Sequence, residues 1–102
     1  MEDMENYIVE KEQIYKDALK EWGPELQIVM VFEEMSELQK ELSKNLRGVE
    51  NSTSIAEEIA DVEIILEQMK ALFEVESQVD KFKMHKLGRL KARLLKDKKG
   101  GR

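Results

Sequence analysis

The chain has 102 residues, carries a formal net charge of −5 and contains no cysteine. This length fits one domain, since domains typically occupy about 100–150 residues, and the absence of cysteine excludes disulfides and thiolate chemistry. No run approaches the about 20 apolar residues of a membrane-spanning helix, and the acidic N-terminus is unlike a signal peptide, so we expect a cytoplasmic protein with no membrane segment.

The first two segments with apolar residues at helical spacing meet at a glycine and a proline. The first carries Ala18 and Trp22 on one face. Gly23 and Pro24 then mark a break, because proline suits the first turn of a helix, where its missing N–H is not needed. The second segment repeats apolar residues at positions i, i+3, i+4 and i+7 between residues 28 and 42. We therefore expect two helices that join near residue 23.

Two further segments follow the turn-forming residues 47–53. The third begins at Ser54 and Glu57, which have the spacing of a capping box, and a weaker fourth begins near Ser77. No stretch alternates with the period of two that is typical of a strand. We therefore predict an all-α fold, with a protomer of the four-helix bundle type. Such a small domain buries a modest core, and oligomerisation is a natural source of further burial.

Charge is distributed unevenly along these segments. Residues 1–80 contain seven basic and 21 acidic side chains, whereas residues 81–102 contain ten basic side chains and one acidic one. The acidic part repels nucleic acid unless cations intervene, while the basic part attracts phosphate. A solvated helix with a frayed tail explains the basic end equally well. We therefore do not expect nucleic acid as a partner, and rank binding through residues 81–102 last among the functions considered.

Acidic side chains recur three residues apart on the second and third predicted helices. Glu34 and Glu37 lie on one helix, Glu58 and Asp61 on the other, and each pair shares a helix face. On adjacent antiparallel helices these four carboxylates converge and raise one another's pKa unless a cation compensates. Mg²⁺ prefers such oxygen ligands, bridges carboxylates to substrate phosphates and lowers the pKa of an attacking water. The spacing therefore indicates a magnesium site.

An ordinary solvated surface is the alternative explanation of these acids, because glutamate favours helices and commonly lies opposite an apolar stripe. Two features favour the metal. Leu26 and Met30 share a face with Glu33 and Glu37, so this face begins apolar and becomes acidic. No lysine or arginine lies between residues 55 and 69 to neutralise the acids of the third helix. A non-enzymatic helical interaction module with an acidic surface remains the second hypothesis.

These motifs resemble those of a known family, the all-α nucleoside triphosphate pyrophosphohydrolases of the MazG-like group. The family pattern is E-E-x-x-E on one helix and E-x-x-D on the next, which appears here as Glu33-Glu34-x-x-Glu37 and Glu58-x-x-Asp61. The resemblance covers about residues 15–95. It implies one MazG-like helical domain over residues 1–97, followed by a basic, glycine-containing tail over residues 98–102 that we expect to be disordered.

The resemblance implies Mg²⁺-dependent cleavage between the α and β phosphates of a nucleoside triphosphate, giving a monophosphate and pyrophosphate, with Mn²⁺ as a substitute metal. By motif position, the metal ligands are Glu34, Glu37, Glu58 and Asp61. Glu33 completes the catalytic set, either as an outer ligand or by positioning the attacking water. Such proteins form homodimers or homotetramers, with the nucleotide pocket close to a subunit interface.

Substrate contacts implied by the resemblance lie outside the acidic motifs. Lys83, Lys86 and Arg89 fall on the fourth predicted helix, where relatives carry residues that contact phosphates, although a solvated basic helix explains them equally well. Upstream of the acids, Trp22 would stack on a base and Gln27 would read its edge. Packing in the core is the alternative role for Trp22.

Overall fold

The structure is a computed structural model that describes residues 2–99. Within these residues the chain forms three α-helices and no strand: α1 (Glu2–Leu46), α2 (Ser52–Phe73) and α3 (Glu76–Lys99). The prediction of an all-α fold is therefore confirmed. Most of the predicted tail lies outside the described residues, and α3 continues as far as Lys99. No helix of residues 2–99 contains an apolar stretch long enough to cross a membrane.

Helix α1 is interrupted at a single residue. Gly23 has a φ of 82° and a ψ of 162°, which is not a helical conformation, and Pro24 follows it. This region of backbone space is essentially restricted to glycine, because a Cβ atom collides with the neighbouring peptide groups there. The break therefore falls at the glycine and proline where the sequence predicts it. Below, the first half of α1 denotes residues 2–22 and the second half residues 24–46.

The connection between α1 and α2 is held by hydrogen bonds from its own residues. At the end of α1 the Val49 N–H donates to the Lys44 carbonyl at 3.1 Å, and Gly48 adopts a φ of 97°, as in a glycine-containing helix terminus. Asn51 precedes α2, and its Nδ2 donates to the backbone oxygen of Glu41 at 2.8 Å. Helix α2 begins at Ser52, two residues before the capping box expected at Ser54.

Packing is concentrated between α1 and α2. Helix α3 contacts α2, but within residues 2–99 none of its Cα atoms lies within 8 Å of α1. The buried apolar residues of the described chain are Ala18 and Ile65, one on each packed helix. The radius of gyration is 17.8 Å, compared with about 13 Å for a compact domain of 100 residues. The chain is thus elongated and has a small core.

Helix α3 presents nearly all of its surface to solvent. Every side chain from Asp80 to Lys98 is exposed, including large apolar ones such as Phe82 and Leu87. Long apolar side chains are also exposed on the other two helices, among them Phe32 on α1. On α3, Leu87, Leu90, Leu94 and Leu95 line one shallow pocket together, and exposed apolar side chains grouped in this way typically mark an interface.

Candidate metal centre

Three of the predicted acids converge where the second half of α1 faces α2. One carboxylate oxygen from each of Glu34, Glu58 and Asp61 lies within 4.8 Å of the other two. Glu34 and Glu58 are half-buried, and Asp61 is exposed. Because Mg²⁺–oxygen distances are about 2.0–2.1 Å, ligands on opposite sides of one ion are about 4.2 Å apart. A small inward movement of these side chains therefore accommodates one cation. We call these three residues the acidic cluster.

The acidic cluster lies in an electrostatic environment that disfavours its own negative charge. Partial burial raises the pKa of Glu34 above its ordinary value, and the charges of Asp61 and Glu58 raise it further. The pKa of Glu58 is raised in the same way, by desolvation first and then by Asp61 and Glu37. A cation placed among these oxygens reverses both effects, because it stabilises the ionised carboxylates.

No ion pair of the described residues neutralises the cluster. The two ion pairs join Lys11 to Glu67 and Lys44 to Glu41, at 3.3 Å and 3.2 Å. Glu41 also accepts hydrogen bonds from Asn51 and Lys44, which lower its pKa. Glu41 and Glu67 are thus stabilised by donors, whereas no side-chain hydrogen bond or ion pair of the described residues reaches the three acids of the cluster. This contrast fits a site that holds a metal ion, and exposed acidic groups also occur without one.

The other two predicted catalytic acids border the cluster. Glu33 and Glu37 are exposed on α1, and their oxygens are not part of the group of three. Both are close enough for their charges to raise the pKa of Glu34. The structure therefore places Glu37 beside the cluster rather than within it, and Glu33 in a position from which it can reach solvent next to Glu34.

A cavity of about 540 Å³ opens between α1 and the C-terminal half of α2, lined mainly by the first half of α1, with Gln27 of its second half and Glu76 of α3 also in the wall. Gln27 lines it and is only 2% exposed, the most buried polar side chain of the described residues. On the facing wall lie Glu67 and Gln68. Tyr15 donates a hydrogen bond to Glu67 across this cavity, which we call the Gln27 cavity. Hydrophobic periodicity places Tyr15 among the apolar residues of the first predicted helix and does not predict its contact with Glu67.

The structure does not bring the remaining predicted substrate residues together with the acidic cluster. Trp22 is 54% exposed and does not line the Gln27 cavity. Lys83, Lys86 and Arg89 are exposed on α3, whose Cα atoms stay more than 8 Å from those of α1 in the described chain. The structure therefore does not bring these three basic residues against the α1 side of the cluster.

Comparisons with family models, curated proteins and solved structures find no match to this chain.

Proposed function

We propose that the protein is a Mg²⁺-dependent nucleoside triphosphate pyrophosphohydrolase. The observation that supports this most directly is the convergence of oxygens from Glu34, Glu58 and Asp61 without a cationic side chain to pair with them. Hard divalent cations and phosphate-bearing substrates suit such an all-oxygen site, and Mn²⁺ is expected to substitute for Mg²⁺. The resemblance of the two acidic motifs to the MazG-like group supplies the reaction class.

The chain's own residues have distinct roles in this proposal. Glu34, Glu58 and Asp61 would hold the metal, and Glu37, at the border of the cluster, is the candidate for a fourth ligand. Bound Mg²⁺ supplies neutralisation of phosphate charge and a lowered pKa of coordinated water. Glu33 accepts a proton from the water that attacks the α phosphorus. The α-phosphorus–oxygen bond breaks, and the bridging oxygen leaves with pyrophosphate.

We also propose that the working form is a homodimer or homotetramer. In this form each protomer corresponds to a four-helix bundle unit, with the two halves of α1 counted separately on either side of Gly23. The elongated shape and the exposed apolar side chains of α3 support association. The basic charge of residues 81–102 complements the acidic remainder. In an oligomer Lys83, Lys86 and Arg89 can reach the phosphates held by another protomer. Light scattering during size-exclusion chromatography measures the mass.

The decisive experiment is pyrophosphate release from a panel of ribo- and deoxyribonucleoside triphosphates, with and without Mg²⁺. We expect Mg²⁺-dependent release, and loss of at least about 100-fold in turnover for Glu37→Gln or Asp61→Asn. Glu63→Gln is the matched control, because Glu63 is an exposed acid on α2 outside the cluster. Absence of release from every triphosphate, or full activity of Asp61→Asn, contradicts the proposal.

A non-enzymatic interaction module is the second candidate, and the exposed apolar side chains of all three helices favour it. The two functions differ in their need for metal. Titration of Mn²⁺ into the protein, followed by calorimetry, is expected to show binding that Asp61→Asn weakens and Glu63→Gln does not. An interaction module with an unspecialised acidic surface shows no such difference between the two variants.

A further inference from the structure

We propose that Asn51 is a positioning residue for the metal centre, because it holds the carboxylate of Glu41 out of the acidic cluster. A bound metal then keeps positions open for water and for substrate phosphate. Asn51 lies in the connection between α1 and α2, outside both acidic motifs. The inference rests on the proposed function and extends it to the choice of metal ion.

Glu41 lies close to the acidic cluster along α1. It follows Glu34 by seven residues and Glu37 by four, so about two helical turns separate it from Glu34 and about one from Glu37, on the same helix face. The pKa of Glu58 is raised by desolvation first and then by nearby acids, Glu41 among them. The charge of Glu41 therefore acts on the cluster, although its oxygens are not part of the group of three.

Both oxygens of the Glu41 carboxylate accept hydrogen bonds. Nδ2 of Asn51 donates to Oε1 at 2.9 Å, and Nζ of Lys44 donates to Oε2 at 3.2 Å. The same nitrogen of Asn51 also donates to the backbone oxygen of Glu41 at 2.8 Å, which fixes the amide against α1. These donors lower the pKa of Glu41, with Asn51 the larger influence. At neutral pH the carboxylate is thus ionised and held towards the connection.

A free carboxylate at this position would change the number of ligands at the metal centre. Mg²⁺ takes about six oxygen ligands in near-ideal octahedral geometry and keeps several waters, whereas Ca²⁺ takes about six to eight in flexible geometry. An added carboxylate fills a position otherwise open to water or phosphate and suits the larger ion. Its negative charge also repels the substrate. The hydrogen bond from Asn51 to Glu41 therefore favours Mg²⁺ over Ca²⁺ at the cluster.

Calorimetric titration of Mg²⁺ and of Ca²⁺ into the protein tests this role, with the ratio of the two affinities as the readout. In Asn51→Ala the ratio should shift towards Ca²⁺ by about tenfold, as for other residues that support metal ligands. Adding Glu41→Met should cancel the shift, because methionine has no carboxylate oxygen. Glu41→Met alone and the control Asn45→Ala should retain the wild-type ratio, since Asn45 donates to Val49 and Asn51 and not to Glu41.

Cancellation by Glu41→Met separates this role from a purely structural one, because a loosened connection between the helices is not repaired by a second substitution. If Asn51→Ala does not fold by circular dichroism, Lys44→Met carries the test, since it frees the other oxygen of Glu41 and should shift the ratio in the same direction. An unshifted ratio, or a shift that persists after Glu41→Met is added, overturns the role of Asn51 and leaves the hydrolase intact. Absence of Mg²⁺ binding by the wild-type protein contradicts the metal centre itself, and both proposals with it.

Discussion

Tyr15 and Glu67 are joined by a hydrogen bond although 52 positions separate them in the chain. The Tyr15 hydroxyl donates to Oε1 of Glu67 at 2.7 Å, and the Lys11 ammonium lies 3.3 Å from the same oxygen. These donors hold the pKa of Glu67 below its ordinary value, with Tyr15 the larger influence. The contact links α2 to the first half of α1, which precedes the break at Gly23.

Replacement of Tyr15 by phenylalanine should destabilise the fold by about 1 kcal/mol at pH 7, since one partly exposed, charge-assisted hydrogen bond is lost. The folded pKa of Glu67 is lowered, so this contribution is present above the unfolded pKa of about 4.3 and is lost as pH falls through the folded pKa. Urea unfolding at pH 7 and below pH 4 measures the difference. Equal stability of both proteins at pH 7 contradicts the prediction.

Replacement of Glu34 by glutamine should stabilise the metal-free protein at neutral pH by about 0.5 kcal/mol, because partial burial disfavours its charge and the neighbouring acids Asp61 and Glu58 repel it. The folded pKa of Glu34 is raised. Its carboxyl group therefore favours the folded state below the unfolded pKa of about 4.3, and that advantage is lost as pH rises through the folded pKa. The gain from the substitution should thus disappear near pH 4.

Thermal unfolding with and without Mn²⁺ checks this prediction. Added metal should stabilise the wild type more than Glu34→Gln, since only the folded wild type offers the full ligand set. Glu63→Gln serves as the control and should respond to metal as the wild type does. A metal response of Glu34→Gln equal to that of the wild type would count against Glu34 as a ligand.

Two glycine substitutions should have opposite effects. Gly23→Ala should destabilise the protein by about 1–3 kcal/mol, because its φ of 82° and ψ of 162° strain any residue with a Cβ atom. The strain is conformational, since a Cβ atom there meets no other atom within 4 Å. Gly88→Ala, inside α3 and also in open space, should increase helicity and stability by about 0.5–1 kcal/mol. Circular dichroism and thermal unfolding measure both; destabilisation by Gly88→Ala would show that α3 packs closely at this residue.

The connection between α1 and α2 should depend on one asparagine. Asn51→Ala should destabilise the fold by about 1–2 kcal/mol, because Nδ2 of Asn51 donates to the backbone oxygen of Glu41 at 2.8 Å and to its Oε1 at 2.9 Å. Asn45 is exposed and donates at 3.3–3.4 Å, so Asn45→Ala should cost under about 0.5 kcal/mol. Equal losses from the two variants in urea unfolding would contradict this ranking.

Local rules predict the features that depend on neighbouring residues. The break at Gly23 follows from glycine next to proline, and the sharing of a face by Glu58 and Asp61 follows from their spacing of three. The start of α2 is harder to predict, because Asn51, Ser52 and Ser54 are all suitable residues within one turn.

The Gln27 cavity depends on how α1 and α2 are rotated against each other. Hydrophobic spacing defines which face of each helix packs, but it does not determine which residues of the two faces lie opposite each other. The contact between Tyr15 and Glu67 therefore cannot be predicted from the sequence. The exposure of α3 cannot be predicted from hydrophobic periodicity either. An amphipathic pattern predicts that a helix has an apolar face, but it does not identify what covers that face.

Gly23 separates the two parts of α1 that form the Gln27 cavity, since Lys11 and Tyr15 precede it and Gln27 follows it. It therefore acts as a hinge within the wall, with two soft dihedral angles between two stiff helical arms. Lys11 lies about 18 Å from Gly23 along the helix, so a rotation of about 10° at this residue displaces Lys11 by about 3 Å. Rotation at Gly23 thus changes the aperture of the cavity while both arms stay helical, and the contacts of Tyr15 and Lys11 with Glu67 oppose that rotation.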